Sequence, residues 1–452
     1  MPQLPFNIFI IIFFLGGWLG AKATAGLRLP GILGMVLFGI AVSAFAADAV
    51  PELMWDLAPF LTSVALVVIL LRAGLGIRRD TLSRVGLPAG LLGVVPCLIE
   101  AVVLTAAFVW LFEFPLLVAA LASFVLAAVS PAVVVPSMLD LKHRGFGRHK
   151  EVPTLVLAGA SLDDVVAITF FTVLLQPAAG LATAGANASS GGQTAGAAGG
   201  AGLGASASAG AGEQLGSASE GLSIEGLSVF AQAMARVPLS IAGGLIAGIV
   251  VGLLLSWFFR RYYRHVRATE KTLILLMLAL LTVEVGELVH VAALLAVMTV
   301  GFILLERSEH IAHELALKLS KVWVIAEIVL FVLIGMAVEV DVALGAGLRG
   351  LAVIALGLLG RSAGVLVSLA LGRARLNPAE RLFCVLAYLP KATVQAALGS
   401  VPLAAGVYGG EQILAVAVLA ILVTAPIGLL SIRLIGPKLL DGPADTAPET
   451  VV

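Results

Sequence analysis

Charged residues, aromatic residues and cysteines are all scarce in this sequence. Charged residues make up 12% of the 452 residues, against about 25% in an ordinary soluble domain. Hydrophobic residues make up 60%, more apolar surface than a water-soluble globule can bury, so a soluble enzyme and a disordered scaffold are both excluded. The 27 basic residues balance the 27 acidic residues and leave no basic excess for an electrostatic nucleic-acid binder. The two cysteines, Cys97 and Cys384, lie in apolar stretches, which excludes a disulfide framework and a thiolate metal site.

Long apolar segments dominate what remains. A helix needs about 20 apolar residues to cross a hydrocarbon core of about 30 Å. We therefore expect an all-α polytopic membrane protein with about 13 transmembrane helices. The expected spans cover residues 6–22, 30–47, 57–75, 86–111, 115–139, 153–176, 227–258, 272–286, 289–305, 318–337, 348–371, 379–403 and 412–433.

Basic residues concentrate in every second connection between these spans. Lys142, Arg144, Arg148 and Lys150 share one such connection, whereas the alternate connections carry mainly acidic residues. Because cytoplasmic loops are enriched in Lys and Arg, we expect the N-terminus outside, the C-terminus in the cytoplasm, and a location in the cell (inner) membrane. The opening residues carry no positive charge, so the first span is expected to be a helix and not a removable signal peptide.

Two segments lie outside this pattern of spans. Residues 177–226 are rich in Gly, Ala and Ser and contain no Lys or Arg. Such a segment cannot bury enough apolar surface to fold, so we expect a flexible exterior loop. Residues 434–452 are expected to form a short cytoplasmic tail without a regulatory domain.

Five ionisable residues lie near the middle of their spans, about 15–21 Å from the start of each span at a rise of 1.5 Å per residue. An ionised side chain at the centre of a membrane helix costs about 2.5–3.5 kcal/mol, so these residues are expected to face inward, to pair or to hold protons. Three carboxylates against two cations leave at least one carboxylate without a basic partner. A spare buried carboxylate holds either a proton or a metal cation, and that exclusivity is the chemistry of an antiporter. The five residues are Glu100, Asp163, Asp164, Arg361 and Lys391.

A purely structural role is the alternative for some of these residues. For Glu100 with Arg361, a structural ion pair is an equally good interpretation. The adjacent acids Asp163 and Asp164 repel each other and gain nothing as packing, so they favour function. A second group of metal-ligating residue types, expected to form a solvated helix face, consists of Glu309, His310, His313 and Glu314.

Proline interrupts two of the expected spans. The fifth span carries SPAVVVPS at 130–137, and the twelfth carries PKATVQ at 390–395. Proline removes a helical hydrogen bond, which a bilayer tolerates only where the loosened backbone is buried or lines a wet cavity. Spans 4–6 and 11–13 then correspond as inverted repeats, with Glu100 matching Arg361 and one broken span matching the other. We expect Lys391 to neutralise the carbonyl ends at such a break.

This correspondence divides the chain into a moving core and a supporting panel. We expect the core in residues 86–176 and 348–433. Panel or dimerisation helices are expected in residues 1–80, and panel or linker helices in 227–337.

Three motifs of the sequence resemble those of a known transporter family. They are SPAVVVPS at 130–137, ASLDDVVAI at 160–168 and YLPKATVQA at 388–396. Together they resemble the sodium/proton antiporters of the NHA group, in the second branch of the monovalent cation/proton antiporter superfamily. The resemblance covers nearly the whole membrane part and implies an NhaA/NapA-like antiporter fold. It also implies a homodimer with a dimerisation panel and an elevator-like core.

The resemblance implies roles for individual residues as well. Asp163 and Asp164 would bind the cation and the proton, with Asp164 as the direct ligand, and Lys391 would form a salt bridge with Asp163 when no cation is bound. The buried pair of Glu100 and Arg361 would set the geometry of the core. Further oxygen ligands would come from Ser130, Thr393 and the backbone carbonyls near Val133.

The sequence thus predicts a secondary active transporter that exchanges Na⁺ or Li⁺ for protons by an elevator-type alternating-access mechanism. Its partners would be cations, protons, the lipid bilayer and a second copy of the chain, with no cofactor and no nucleic acid. Two alternatives stay open, a K⁺/H⁺ antiporter and a sodium-coupled organic anion symporter of related fold. An intramembrane aspartyl protease requires two aspartates on separate helices, so no enzyme activity is expected.

Overall fold

A computed structural model describes residues 3–76, 79–190, 224–263, 266–289, 291–338 and 340–442. Within these ranges the regular structure is helical throughout. The α-helices are α1 (Phe6–Gly26), α2 (Gly31–Ala46), α3 (Glu52–Gly76), α4 (Arg79–Phe112), α5 (Leu116–Leu126), α6 (Pro131–His143), α7 (Val152–Ser190), α8 (Ile224–Arg261), α9 (Ala268–Leu288), α10 (Ala293–Arg307), α11 (Glu309–Met336), α12 (Val340–Leu371), α13 (Pro378–Ala387), α14 (Thr393–Gly399), α15 (Val401–Ala404), α16 (Gly410–Leu430) and α17 (Gly436–Leu439).

The helices agree with the expected membrane spans. Nine helical segments in the described ranges are long and apolar enough to cross a membrane, and they belong to α1–α4, α7, α8, α11, α12 and α16. The other expected spans coincide with α9, with α10, and with two sets of shorter helices, α5–α6 and α13–α15. The all-helical, multi-pass class is therefore confirmed, and the full count of thirteen crossings stays a prediction.

The expected loop at 177–226 needs a correction at both ends. Helix α7 continues to Ser190 and α8 already begins at Ile224. The segment that follows Pro177 is rich in alanine, the residue with the highest helix propensity, which favours continuation of the helix. Residues 191–223 of the expected loop, and residues 443–452 of the expected tail, lie outside the described residues.

The helices pack in two groups. Helix α4 packs against α7 and α12, while α11 packs against α2 and α3, and α10 against α3 and α8. The backbones of α2 and α11 lie so close together that a Cβ on Gly335 would be only 3.0 Å from the Cα of Gly39. Such small residues allow membrane helices to approach closely. The first group lies in the expected core ranges and the second in the expected panel ranges, whose boundaries stay a prediction.

Two helices are broken, and the breaks meet. Helix α5 ends at Leu126 and α6 resumes at Pro131, while α13 ends at Ala387 and α14 resumes at Thr393. The two interruptions contact each other where the Ser130 backbone N–H donates to the Pro390 carbonyl at 2.8 Å.

The first interruption lies earlier in the chain than the proline motif suggests. It covers residues 127–130. Pro131 occupies the first turn of α6, where the missing N–H breaks no helical hydrogen bond. Pro136 lies inside α6 and does not end it. The motif therefore marks the start of a half-helix and is not itself the unwound segment.

The start of α13 is fixed by its local sequence. Asn377 caps the helix by accepting from the Glu380 N–H at 2.8 Å, and Glu380 Oε2 accepts from the Asn377 N–H at 2.7 Å. The same Glu380 oxygen accepts from Lys150 Nζ at 2.9 Å. Because Lys150 lies two residues before the start of α7 at Val152, this contact places the starts of α7 and α13 at the same end of the protein.

Candidate functional site

Four parts of the chain bring the five mid-span ionisable residues into one cluster. Glu100 comes from α4, the aspartate doublet from α7, Arg361 from α12 and Lys391 from the break before α14. Their exposed fractions are 0% for Asp163 and Arg361, 1% for Glu100, 2% for Lys391 and 4% for Asp164. All five are therefore buried in the described structure, as expected of charges that cannot face lipid.

Arg361 is the centre of this cluster. Its Nη1 donates to Asp163 Oδ1 at 3.1 Å and its Nη2 to Asp163 Oδ2 at 2.9 Å. Its Nε donates to Glu100 Oε2, and Nη2 also donates to the Ala127 carbonyl at the end of α5. A planar guanidinium provides such parallel donors in one rigid group, so Arg361 joins its own helix α12 to α4, α7 and the end of α5.

Lys391 lies at the expected break but pairs with a different carboxylate from the one expected. Its Nζ is 2.7 Å from a Glu100 oxygen, so the ion pair joins Lys391 to Glu100 and not to Asp163. Both Asp163 oxygens are already occupied by the Arg361 fork, and Oδ2 also accepts from the Val129 N–H at 2.8 Å. Glu100 can accept from both cations because a carboxylate offers about four acceptor positions.

The carbonyl end of α5 is not neutralised by Lys391 either. The Leu126 and Ala128 carbonyls accept from Gln395 Nε2 at 3.2 Å and 2.9 Å. The intervening Ala127 carbonyl accepts from Arg361. Gln395 is thus a residue of this cluster that the pattern of charges did not predict. The signal for it was its position within an apolar span, four residues after Lys391.

Asp164 differs from its neighbour in having a free oxygen. Adjacent residues leave a helix about 100° apart, so the two carboxylates face different surroundings. Asp163 is held by Arg361 and Val129, whereas Asp164 Oδ1 is buried without a hydrogen-bond partner. Of the two acids, Asp164 is therefore the one available to a proton or a cation.

Other buried oxygens also lack partners. The hydroxyl oxygens of Ser130 and Thr393, at the starts of α6 and α14, have no hydrogen-bond partner. Buried polar atoms without partners are rare, so each calls for water or a ligand. The Val133 carbonyl is different, because it lies inside α6 and accepts from Ser137 Oγ at 2.7 Å. This carbonyl oxygen is therefore not free, and ion ligation by the backbone carbonyls near Val133 stays a prediction.

The second group of metal-ligating residue types does not assemble. Tyr263 OH lies 3.2 Å from His310 Nδ1, and Lys271 pairs with Glu314 at 3.1 Å. His313 Nε2 lies 3.4 Å from Glu309 Oε1 on an exposed helix face. Among the described residues, no group of three or more His, Cys, Asp or Glu side chains could hold a metal ion.

Two cavities lie near these elements. One, with about 10 Å³ of free space, is lined in part by Glu100, Lys391 and Leu126, and has room for about one water. The other, about 390 Å³, opens between α6 and the short π-helix Ser431–Ile435 that follows α16, and includes Ser137, Asp140 and Arg433 in its wall. The first cavity thus adjoins Glu100 and Lys391 of the ionisable cluster, and the rest of its lining is apolar.

Broken helices that cross at buried charges are the architecture of ion-coupled secondary transporters. The sequence pattern of the family described as "Sodium/hydrogen exchanger, transmembrane" matches residues 10–436. The chain belongs to this family of sodium/hydrogen exchangers.

Individual relatives agree with this assignment. The chain is 30% identical over 453 residues to sodium/hydrogen exchanger 9B1 of Homo sapiens, covering 96% of this chain and 78% of that protein. It is 31% identical over 461 residues to sodium/hydrogen exchanger 9B2 of Homo sapiens, covering 96% and 75%. Among solved structures, the sodium proton antiporter MjNhaP1 from Methanocaldococcus jannaschii at pH 8 has the same fold, with a TM-score of 0.68 at 19% identity, covering 95% of this chain and 97% of that one.

Proposed function

We propose that this protein exchanges Na⁺ or Li⁺ for protons across the cell (inner) membrane, with the two ions competing for Asp164. The observation that carries the proposal is the free, buried oxygen of Asp164 beside charges that are already paired. Cation/proton antiport is also the activity in the names of the sodium/hydrogen exchangers that the chain resembles.

The charge balance of the cluster supports a one-for-one exchange. Arg361 and Lys391 offset the charges of Glu100 and Asp163, with which they form ion pairs. One negative charge is then left, on Asp164. A single proton or a single monovalent cation neutralises it, and an unneutralised charge in this position is costly.

Neutral oxygens near the breaks suit a hard cation. Na⁺ and Li⁺ prefer oxygen ligands. We infer that Asp164 is the charged ligand and that the unpartnered hydroxyls of Ser130 and Thr393 complete the shell. Asp163 belongs to the same binding pair, and its contacts with Arg361 leave the direct contact to its neighbour.

Movement of the core relative to the panel would carry the ion across the membrane. The hydrogen bond from Ser130 to Pro390 joins the two broken helices, and Arg361 joins α4, α7 and the end of α5. These bonds favour motion of the expected core as one body in an elevator-type cycle. The panel would form the contact of a homodimer, with the N-terminus outside and the C-terminus in the cytoplasm.

The test is ion-driven proton movement in proteoliposomes that contain the full chain, followed by quenching of a pH-sensitive dye. We expect addition of Na⁺ or Li⁺ to dissipate an imposed proton gradient when no organic solute is present. Asp164→Asn should abolish this response and leave folding intact, while Asp140→Asn, the loss of an exposed carboxylate paired with Arg144, should not. A full response in Asp164→Asn would refute the assignment. A response to K⁺ alone, or one that requires an organic anion, would favour the two alternative transporters.

A further inference from the structure

Gln395 contacts the first broken helix from the second one. It lies on α14 with an exposed fraction of 0%, and its Nε2 donates to the Leu126 and Ala128 carbonyls. We propose that Gln395 is a positioning residue of the ion site, which acts through the peptide group between Ala128 and Val129. This inference rests on the exchange activity proposed above.

A single peptide group connects Gln395 to the aspartate doublet. The Ala128 carbonyl and the Val129 N–H belong to the same planar unit and point in opposite directions in a trans peptide. Gln395 donates to the carbonyl side at 2.9 Å, and Asp163 Oδ2 accepts from the N–H side at 2.8 Å. The two side chains therefore fix the orientation of that peptide from opposite sides.

This orientation matters for the division of labour between the two aspartates. The Val129 N–H is a donor to the charged form of Asp163 and is strengthened by the hydrogen bond at its own carbonyl. If the peptide turned, Asp163 would lose a donor and would compete with Asp164 for the proton or the cation. Gln395 thus keeps Asp163 engaged and leaves Asp164 as the exchange group.

The amide of glutamine suits this position. Two carbonyl oxygens face the side chain, so Nε2 must point toward them, and Oε1 is buried without a partner. An apolar side chain would leave both carbonyls without their donor, at a break where no helical N–H can replace it. Helix α14 also packs against α3 and α11 of the expected panel. Gln395 therefore links a half-helix at the panel to the doublet.

The experiment compares two substitutions of nearly equal size in proteoliposomes. Gln395→Met keeps the length of the side chain and removes both donors. We expect it to raise the sodium concentration for half-maximal exchange about tenfold, the effect of one hydrogen bond to a charged group, with little change in maximal rate. Gln395→Glu, while it holds its proton, retains one donor and should stay within about threefold of the wild type.

Ser123→Ala is the matched control. It removes the hydrogen bonds that Ser123 Oγ forms with the Ala120 carbonyl and with Thr105 Oγ1. Neither bond reaches the Ala128–Val129 peptide, so the half-saturating sodium concentration should stay at the wild-type value. Thermal unfolding in detergent is measured for every variant. A Met variant with lower thermal stability and unchanged half-saturation would show a purely structural role and overturn the inference. Equal rises in the half-saturating sodium concentration for Gln395→Met and Gln395→Glu would also overturn it. The effect would then depend on the shape of the side chain and not on its hydrogen-bond donor.

The wild-type response separates this inference from the proposed function. If the wild type shows no sodium-dependent proton movement, the proposed function fails and the role of Gln395 fails with it. If the wild type is active and the Met variant behaves identically, only the role of Gln395 is refuted.

Discussion

Arg361 binds both oxygens of Asp163 with two parallel hydrogen bonds, of 3.1 Å and 2.9 Å, in the buried centre of the protein. The same guanidinium contacts Glu100, so one cation joins carboxylates of two helices. This relationship explains why one acid of the doublet is held in place while its neighbour keeps a free oxygen.

Removal of Arg361 should therefore destabilise the whole core. Arg361→Met leaves Asp163 as a buried charge without its cation, and breaking a buried ion pair in this way costs about 3–5 kcal/mol. We expect a clearly lower thermal unfolding temperature in detergent. Arg375→Met removes an exposed arginine and should leave the unfolding temperature nearly unchanged. Equal stability of the two variants would contradict the central role of Arg361.

Lys391 and Glu100 should behave as an energetically coupled pair. Residues in direct contact show interaction energies of about 0.5–3 kcal/mol in double-mutant cycles. We expect Lys391→Met and Glu100→Gln together to cost less stability than the sum of the two single substitutions. The measurement is thermal unfolding of the four proteins. A cycle with Asp163→Asn in place of Glu100→Gln should show weaker coupling to Lys391, because no ion pair joins those two residues.

The sequence predicted which charges would meet and that Glu100 would pair with Arg361, but it did not predict the partners of Asp163 and Lys391. The depth of Glu100, Asp163, Arg361 and Lys391 along their spans follows from a fixed rise per residue, and burial in lipid forces such charges together. The choice of partner depends on how far each side chain reaches between helices that are distant in sequence. Two nitrogens of Arg361 donate to the two oxygens of Asp163, and Lys391 pairs with Glu100. The spacing of these residues along the sequence does not encode this choice of partners.

The backbone contacts at the breaks could not be predicted from the sequence either. Gln395 is neutral, so its burial costs less than that of a charge such as Lys391, and the pattern of charges did not predict its role. The proline motif indicated a broken helix, yet the unwound residues precede it, because Pro131 fits the first turn of α6. Apolar span lengths were predictable, since the thickness of the bilayer sets them.

The two unpartnered hydroxyls provide a prediction that separates binding from stability. Thr393→Val and Ser130→Ala remove oxygens without hydrogen bonds in the structure, so the free energy of unfolding should not fall. The sodium concentration for half-maximal exchange should rise several-fold. Thr424→Val is the contrasting variant, because the Thr424 hydroxyl accepts from the Lys391 N–H at 2.8 Å. Loss of this hydrogen bond should lower thermal stability. Unchanged sodium dependence in both hydroxyl variants would exclude them as ligands.

Close packing of α2 on α11 predicts strong sensitivity at Gly335. A Cβ there would press on the Val36 carbonyl and lie 3.0 Å from the Cα of Gly39. Gly335→Val must separate the two helices and should cost at least about 1–3 kcal/mol of stability. Gly345→Val adds the same side chain where no atom lies within 4 Å, so thermal unfolding should hardly change. Similar unfolding temperatures for both variants would contradict the close approach.

Competition for one carboxylate fixes how sodium dependence should vary with pH. If one proton and one Na⁺ exclude each other at Asp164, a tenfold rise in proton concentration raises the half-saturating sodium concentration about tenfold while the site is mainly protonated. A plot of the logarithm of that concentration against pH should then have a limiting slope of about −1. A slope of about −2 would mean that two protons leave for each cation. In that case Asp163 or Lys391 would also titrate during exchange, and the charge balance drawn from their ion pairs would be wrong.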